Sequence, residues 1–141
     1  MKKHSIQTRR IFLALLLFAL AATPALAASP NFVVMIADDC TFSDLGCYGG
    51  QANTPNMDRL CKQGMQFDRC FQAAPMCSPT RHALYTGIYP VRSGAYPNHT
   101  FVTPGIHSIA HYLKAAGYRV ALSGKTHINP PESFPFEYSK G

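Results

Sequence analysis

The sequence predicts an α/β fold in which a mainly parallel sheet is flanked by helices. The continuous apolar run at 31–37 contains β-branched residues and suits a buried parallel strand, and residues 118–122 are predicted to form another strand. Helix-capping signals stand between them, and strands that alternate with helices are typical of parallel sheets. With 47% hydrophobic and 14% charged residues in 141, the composition is that of a globular protein rather than a disordered one.

The N-terminus has the parts of an export signal. A basic segment precedes an apolar run at 11–22, and Ala25-Leu26-Ala27 fits a signal-peptidase site. About twelve apolar residues are too few for a permanent membrane span, although an uncut anchor is the alternative. We therefore expect a signal peptide over 1–27 and a mature chain over 28–141. The signal predicts a periplasmic or secreted bacterial protein that uses the Sec or twin-arginine route.

The net charge of +6 reflects this leader more than the mature protein. Four of the 13 Lys and Arg residues lie in the first ten positions, and the other nine face seven Asp and Glu residues. No basic stripe interleaved with aromatic residues remains. The sequence therefore gives little support to nucleic-acid binding.

The first half of the mature chain is predicted to form strand, loop, helix and strand. The run at 31–37 suits a buried parallel strand that ends at Asp38-Asp39, and a glycine-containing loop follows. Thr54-Pro55 is a helix-starting pair, and Gly64 would end that helix. The loosely alternating segment 65–71 is predicted to form a short strand.

The second half is predicted to form two helices and a further strand. A helix over 77–85 tolerates Pro79 because the proline stands in its first turn. Four prolines and glycines predict a long loop over 88–104. Thr103-Pro104 is predicted to cap a helix over about 105–116, and the strand 118–122 follows.

Polar residues stand where these predicted elements meet. Asp38 and Asp39 follow one strand, Lys125 and His127 follow another, and Cys77 begins a helix. Ligands bind at the carboxyl ends of parallel strands. The three places are therefore predicted to converge on one crevice.

The five cysteines leave the redox state open. An exported protein can keep disulfides, and setting Cys77 aside leaves four thiols with three possible pairings. Four free, buried thiols are an equally good interpretation. A zinc site is not favoured because no C-x2-C spacing occurs. The four remaining residues are Cys40, Cys47, Cys61 and Cys70.

Four blocks, in order, resemble the type I (formylglycine-dependent) sulfatases. CSPTRHALYTG at 77–87 resembles the family signature, and GYRVALSGKTH at 117–127 is similar to the second signature. Residues 31–50 resemble the opening strand and metal loop, and TPNMDRL at 54–60 resembles the helix that follows. The resemblance covers most of the mature chain. It implies the alkaline phosphatase superfamily fold, of which this chain looks like the N-terminal part.

The resemblance implies a covalent mechanism at Cys77. In the family, a formylglycine-generating enzyme oxidises the Cys of C-x-P-x-R, and the aldehyde hydrate attacks sulfur. Arg81 would hold the modified side chain, Lys125 would contact sulfate, and His127 would take the proton that triggers sulfate release. Without the family context, a buried thiol, a surface arginine and a polar loop would be the ordinary interpretation.

The resemblance also implies a metal. Asp38, Asp39 and an oxygen of the modified Cys77 match the family's ligands, and oxygen donors favour one divalent ion, calcium (Ca²⁺) more than Mg²⁺. An exposed acidic turn is the alternative for Asp38-Asp39. The family's remaining metal ligands, its second His and its second Lys belong to later sequence that this chain does not contain.

The expected function is hydrolysis of sulfate esters or sulfamates on a sulfated carbohydrate or aryl sulfate. The stretch 124–138 (GKTHINPPESFPFEY) resembles the sulfamidase (heparan N-sulfatase) branch, which implies N-sulfoglucosamine of heparan-type glycans. One alternative is a phosphonate or phosphate ester hydrolase with the same machinery. Others are an inactive truncated fragment and an exported binding module held by disulfides. We expect the 141-residue chain alone to have negligible activity.

Overall fold

The computed structural model describes residues 29–139. The chain divides into two compact units, Met1–Ile36 and Ala37–Gly141. The predicted signal peptide lies outside the described residues. In the first unit, residues 29–36 are described; they are exposed and contain neither helix nor strand.

Four α-helices and two strands form the described part of the second unit. Three single-turn 3-10 helices accompany them, at Phe42–Asp44, Gly46–Tyr48 and Pro131–Ser133. The helices are α1 (Pro55–Gln63), α2 (Cys77–Thr86), α3 (Pro90–Ser93) and α4 (Ile109–Ala115), and the strands are β1 (Ala121–Ser123) and β2 (Glu137–Ser139).

The sheet of residues 29–139 is a single parallel pair. β1 pairs with β2 in the register Ala121 to Glu137, Leu122 to Tyr138 and Ser123 to Ser139. The predicted strand at 118–122 therefore exists, although it begins and ends later. A parallel pair with α-helices before its first strand and a single-turn 3-10 helix between its strands is compatible with the predicted α/β class.

The strand predicted for 31–37 is wrong. This segment forms no strand, and Val33, Val34 and Met35 are 84%, 72% and 68% exposed. A buried parallel strand needs strands at its edges and helices over its faces. Within the described residues β1 and β2 pair only with each other, so neither strand pairs with segment 31–37.

The strand predicted for 65–71 is also wrong. Its backbone and side chains contact a turn rather than a second strand. Tyr48 Oη donates to Phe67 O at 3.0 Å, and Gln66 Nε2 donates to Cys47 O at 3.1 Å. A side-chain hydrogen bond thus occupies the Phe67 carbonyl, one of the groups that a strand ladder would use.

Helix predictions based on local capping signals are more successful. α1 begins at Pro55 behind Thr54, and Gly64 follows it. α2 begins at Cys77, as expected, and continues one residue beyond the predicted end. The proline at the first position of α1 and the glycine after its last residue act within one turn of the chain and need no distant partner.

The helix predicted for 105–116 starts later than expected. Gly105 has a φ of 88°, which is incompatible with a right-handed helix, and Ser108 is the N-cap residue instead of Thr103. The Ser108 N–H donates to His111 Nδ1 at 3.2 Å. The loop predicted for 88–104 also contains the short helix α3.

A small core fixes α2 against the chain that follows β1. Its centre is Phe134, which is fully buried with Ala95, Val102 and Ile128. The Phe134 ring makes an edge contact with the buried His82 ring at a centroid distance of 5.3 Å. This core therefore holds the helix that carries Cys77 beside the segment that carries Lys125 and His127.

Candidate active site

Arg81 of α2 joins two distant parts of the chain. Its Nη2 donates to Asp38 Oδ1 at 3.1 Å, and its Nη1 donates to the backbone oxygen of Lys125 at 2.9 Å. Arg81 is only 5% exposed. One buried guanidinium thus brings together three of the predicted site residues, from the three segments expected to converge.

Lys125 completes a three-residue ion cluster around Asp38. Its Nζ lies 2.5 Å from Asp38 Oδ2, so both carboxylate oxygens accept from a cation. The hydrogen bond from Lys125, followed by that from Arg81, lowers the pKa of Asp38. In return, Asp38 raises the pKa of Lys125. Both groups are partly exposed, so solvent screens this attraction.

Asp39 turns the chain directly after Asp38. Its φ of 50° is in the left-handed region, which aspartate tolerates better than most residues. Two neighbouring carboxylates on an extended strand would point to opposite faces, and this turn removes that restriction. The hydrogen bond with Asp38 is the largest cause of the raised pKa of Lys125, and electrostatic attraction to Asp38, Cys77 and Asp39 adds to it.

Cys77 is the first residue of α2 and is half-buried. Its Sγ donates to Asn98 Oδ1 at 3.8 Å, and the Ser78 N–H donates to the same oxygen at 3.3 Å. Asn98 thereby satisfies one of the free N–H groups at the start of the helix. No local sequence signal indicated this contact.

His127 is hydrogen-bonded to a second histidine. Its Nε2 lies 2.9 Å from His99 Nδ1. Burial, then the nearby charges of His99 and Lys125, lower the pKa of His127. An imidazole with a lowered pKa is neutral at pH 7 and can accept a proton.

Backbone strain in the described chain collects at this site. Among residues 29–139, the non-glycine residues with positive φ are Asp39, His99 and His127, at 50°, 65° and 51°. Such conformations persist where the surrounding contacts determine them, and they cluster at functional sites. His99 is a site residue that sequence reasoning missed.

His82 supports this arrangement from inside the core. The Asn129 N–H donates to His82 Nε2 at 3.1 Å, so the proton is on Nδ1, which donates to Ser78 O at 2.8 Å. His82 is fully buried. It therefore fixes the segment two residues beyond His127 to the first turn of α2. This residue is the second that sequence reasoning missed.

The donors present fit part of a shell for a hard cation. Asp38 and Asp39 are adjacent carboxylates on a turn, and calcium takes six to eight oxygen ligands. Both oxygens of Asp38 already accept from Arg81 and Lys125. Within residues 29–139, no group of three or more His, Cys, Asp or Glu residues is placed to hold a metal. A complete shell would need further oxygens.

One donor of Arg81 remains unused. Its Nε is buried and has no hydrogen-bond partner among the described residues. A buried donor without an acceptor costs free energy, about 1–3 kcal/mol.

Comparison with known proteins identifies the family. The sulfatase family model matches residues 30–140. An ulvan-active sulfatase of Formosa agariphila is 37% identical over 119 residues, which cover 84% of this chain and 24% of that protein. Human arylsulfatase A is 40% identical over 122 residues (80% and 24%), and rat N-acetylgalactosamine-6-sulfatase is 38% identical over 143 (88% and 27%).

The chain spans about a quarter of the length of these curated relatives. Among residues 29–139, no helix has the length and apolar character that a membrane crossing requires. The parallel strand pair with its helices is compatible with the alkaline phosphatase-like architecture of sulfatases. The matched residues include almost all of the described chain, and with them the whole candidate site. The chain belongs to the sulfatase family.

Proposed function

We propose that this chain is the N-terminal part of an exported sulfatase that hydrolyses sulfate esters or sulfamates. The observation that carries the proposal is the position of Arg81. From the helix that Cys77 begins, it binds both Asp38 and the backbone of Lys125. The residues expected to bind the metal and the sulfate are therefore connected by hydrogen bonds to the helix that carries the expected nucleophile.

Cys77 is the proposed nucleophile after oxidation by a formylglycine-generating enzyme. The resulting aldehyde hydrate supplies one hydroxyl to attack sulfur and a second whose deprotonation releases sulfate. The chain contributes the position: the first residue of a helix, where free N–H groups and the helix dipole favour anions. The half-buried setting limits competing water.

Arg81 and Lys125 are proposed to stabilise negative charge on sulfate and on the modified side chain. Fixed cations in a partly dry site stabilise developing charge more than they do in water. Lys125 stays protonated because Asp38 raises its pKa.

His127 is proposed to accept the proton that accompanies sulfate release. Its lowered pKa keeps the ring neutral near pH 7, as a general base must be. His99 orients the ring through the contact between the two imidazoles. Both residues have left-handed backbone conformations, which determine the direction in which each side chain leaves the backbone.

Calcium is the proposed metal, with Mg²⁺ less favoured. Asp38, Asp39 and the oxygen at position 77 would hold part of its shell, and the ion would polarise a sulfate oxygen. We further propose N-sulfoglucosamine as a substrate, from the sulfamidase-like stretch. Phe134 and Phe136 of that stretch pack in and against the core, so this proposal depends on the motif rather than on a contact with a sugar.

The test uses the complete protein, co-expressed with a formylglycine-generating enzyme and directed to the periplasm. Peptide mass spectrometry should find the aldehyde at position 77, and Cys77→Ala should abolish turnover of an aryl sulfate. Cys70→Ser, at an exposed cysteine, is the matched control and should retain activity. An unmodified thiol in active protein would contradict the mechanism. Faster turnover of an aryl phosphonate than of any sulfate would contradict the substrate class.

A further inference from the structure

The turn Gly46–Tyr48 packs against α1 through its backbone. The Gly46 N–H donates to Thr54 Oγ1 at 3.1 Å, and Thr54 Oγ1 donates to Asp58 Oδ1 at 3.0 Å. A Cβ placed on Gly46 would lie 3.0 Å from that same Asp58 oxygen. The chain directly before Cys47 therefore lies on the face of α1 that carries Asp58.

Cys61 occupies that same face. It follows Asp58 by three residues, which is the spacing of neighbours on a helix surface. The chain after Cys47 is tied to residues beyond the helix: Gln66 Nε2 donates to Cys47 O at 3.1 Å. Contacts thus hold Cys47 between the helical turn before Cys61 and the segment after it. Both cysteines are half-buried.

The neighbouring Cys47 side chain is the largest cause of the raised pKa of Cys61, which agrees with this packing. The other cysteines differ: Cys40 Sγ donates to the neighbouring Thr41 O at 3.6 Å, and Cys70 is exposed.

We propose that Cys47 and Cys61 are oxidised to a disulfide in the exported protein. Each thiol loses one proton and one electron, and the S–S bond forms. The two electrons and two protons reduce a disulfide donor of the exporting compartment to its dithiol by thiol–disulfide exchange. The bond closes a loop between the turn and α1, and so anchors the segment that follows Asp38-Asp39. The proposal rests on export, which is part of the proposed function, and not on catalysis.

Cleavage before aspartate makes the test clean. It places Cys40, Cys47 and Cys61 in separate peptides, because Asp39, Asp44 and Asp58 precede them. Exported full-length protein is alkylated without reduction, digested and analysed by mass spectrometry. We expect peptide 44–57 linked to peptide 58–67, lighter than the reduced pair by two hydrogen atoms. Alkylation of both Cys47 and Cys61, or a link from either to another cysteine, would overturn the proposal.

Two variants serve as controls. Cys70→Ser should keep the linked pair, and loss of the link in this variant would overturn the proposal. Cys47→Ser should leave Cys61 as a free thiol that is alkylated. A Cys61 that still resists alkylation in this variant would overturn the proposal. The same digest reads position 77 separately. Free Cys47 and Cys61 beside an aldehyde at position 77 would refute the disulfide and leave the sulfatase proposal intact.

Discussion

His127 Nε2 and His99 Nδ1 lie 2.9 Å apart, so the two imidazoles share a hydrogen bond. Only one of the facing nitrogens can carry a proton in such a contact. Protonating both rings would place two positive charges side by side, near Lys125 and Arg81. Together with burial, this cost explains the lowered pKa of His127.

We predict that His127 titrates below its ordinary value of 6.5. The unfolded chain then binds more protons between that lowered pKa and 6.5, so this residue's contribution to stability is complete above 6.5 and falls as the pH falls. Imidazole NMR signals followed against pH would measure the shift. His99→Gln removes a neighbour that lowers the pKa of His127 and should therefore raise that pKa, whereas exposed His107→Gln should not. Titration at or above 6.5 in the parent protein would refute the prediction.

We predict that Arg81→Lys is not a conservative change. A single ammonium cannot reproduce two separate hydrogen bonds to Asp38 and to the Lys125 carbonyl. The free energy of unfolding should fall by about 1–3 kcal/mol, and turnover by about 100-fold or more. Urea denaturation and aryl sulfate assays would measure both. Arg92→Lys, at an exposed position, should change neither. An Arg81→Lys variant with parent stability would show that the bridge is dispensable.

We predict that His82→Ala destabilises the protein by about 2–4 kcal/mol. The substitution leaves the Asn129 N–H without its acceptor and opens a cavity beside the Phe134 ring. Thermal or urea unfolding measures the loss. His107→Ala removes an exposed imidazole and is the matched control. Equal stability of the two variants would contradict the supporting role assigned to His82.

We predict that chelation of divalent ions inactivates the complete protein and that calcium restores it better than magnesium. Asp38→Asn keeps the shape of the side chain but removes its charge, so calcium affinity should fall by at least about 10-fold. Calorimetric titration with calcium would measure the affinity. Asp68→Asn, at an exposed aspartate, should bind as the parent does. Full activity in the presence of a chelator would exclude the proposed ion.

Local chemistry explains what the sequence could predict. α1 lies between Thr54-Pro55 and Gly64 as predicted, because a proline at the first helical position and a glycine after the last act within a few residues; α2 begins at Cys77, where the sequence block predicted it. The strand predicted at 31–37 failed for the opposite reason. Apolar composition favours burial, but a strand also requires a partner, and β1 pairs with β2.

The candidate site divides in the same way. The convergence of Asp38, Arg81 and Lys125 was predicted from two strand ends and a helix start, although no strand precedes Asp38 in the described part of the structure. The contacts of Asn98 and His99 could not, because both residues lie in an irregular loop and reach partners 21 and 28 residues away. No periodic pattern encodes contacts of that kind, and left-handed backbone at a histidine has no reliable sequence signal.

Arg81 binds the backbone oxygen of residue 125, not its side chain. This hydrogen bond therefore holds the loop whichever amino acid occupies that position. Replacing the Lys125 ammonium by a neutral group would alter the local charge and leave the backbone hydrogen bond in place. A single substitution at this position can therefore separate the chemical role of the side chain from the structural role of the backbone.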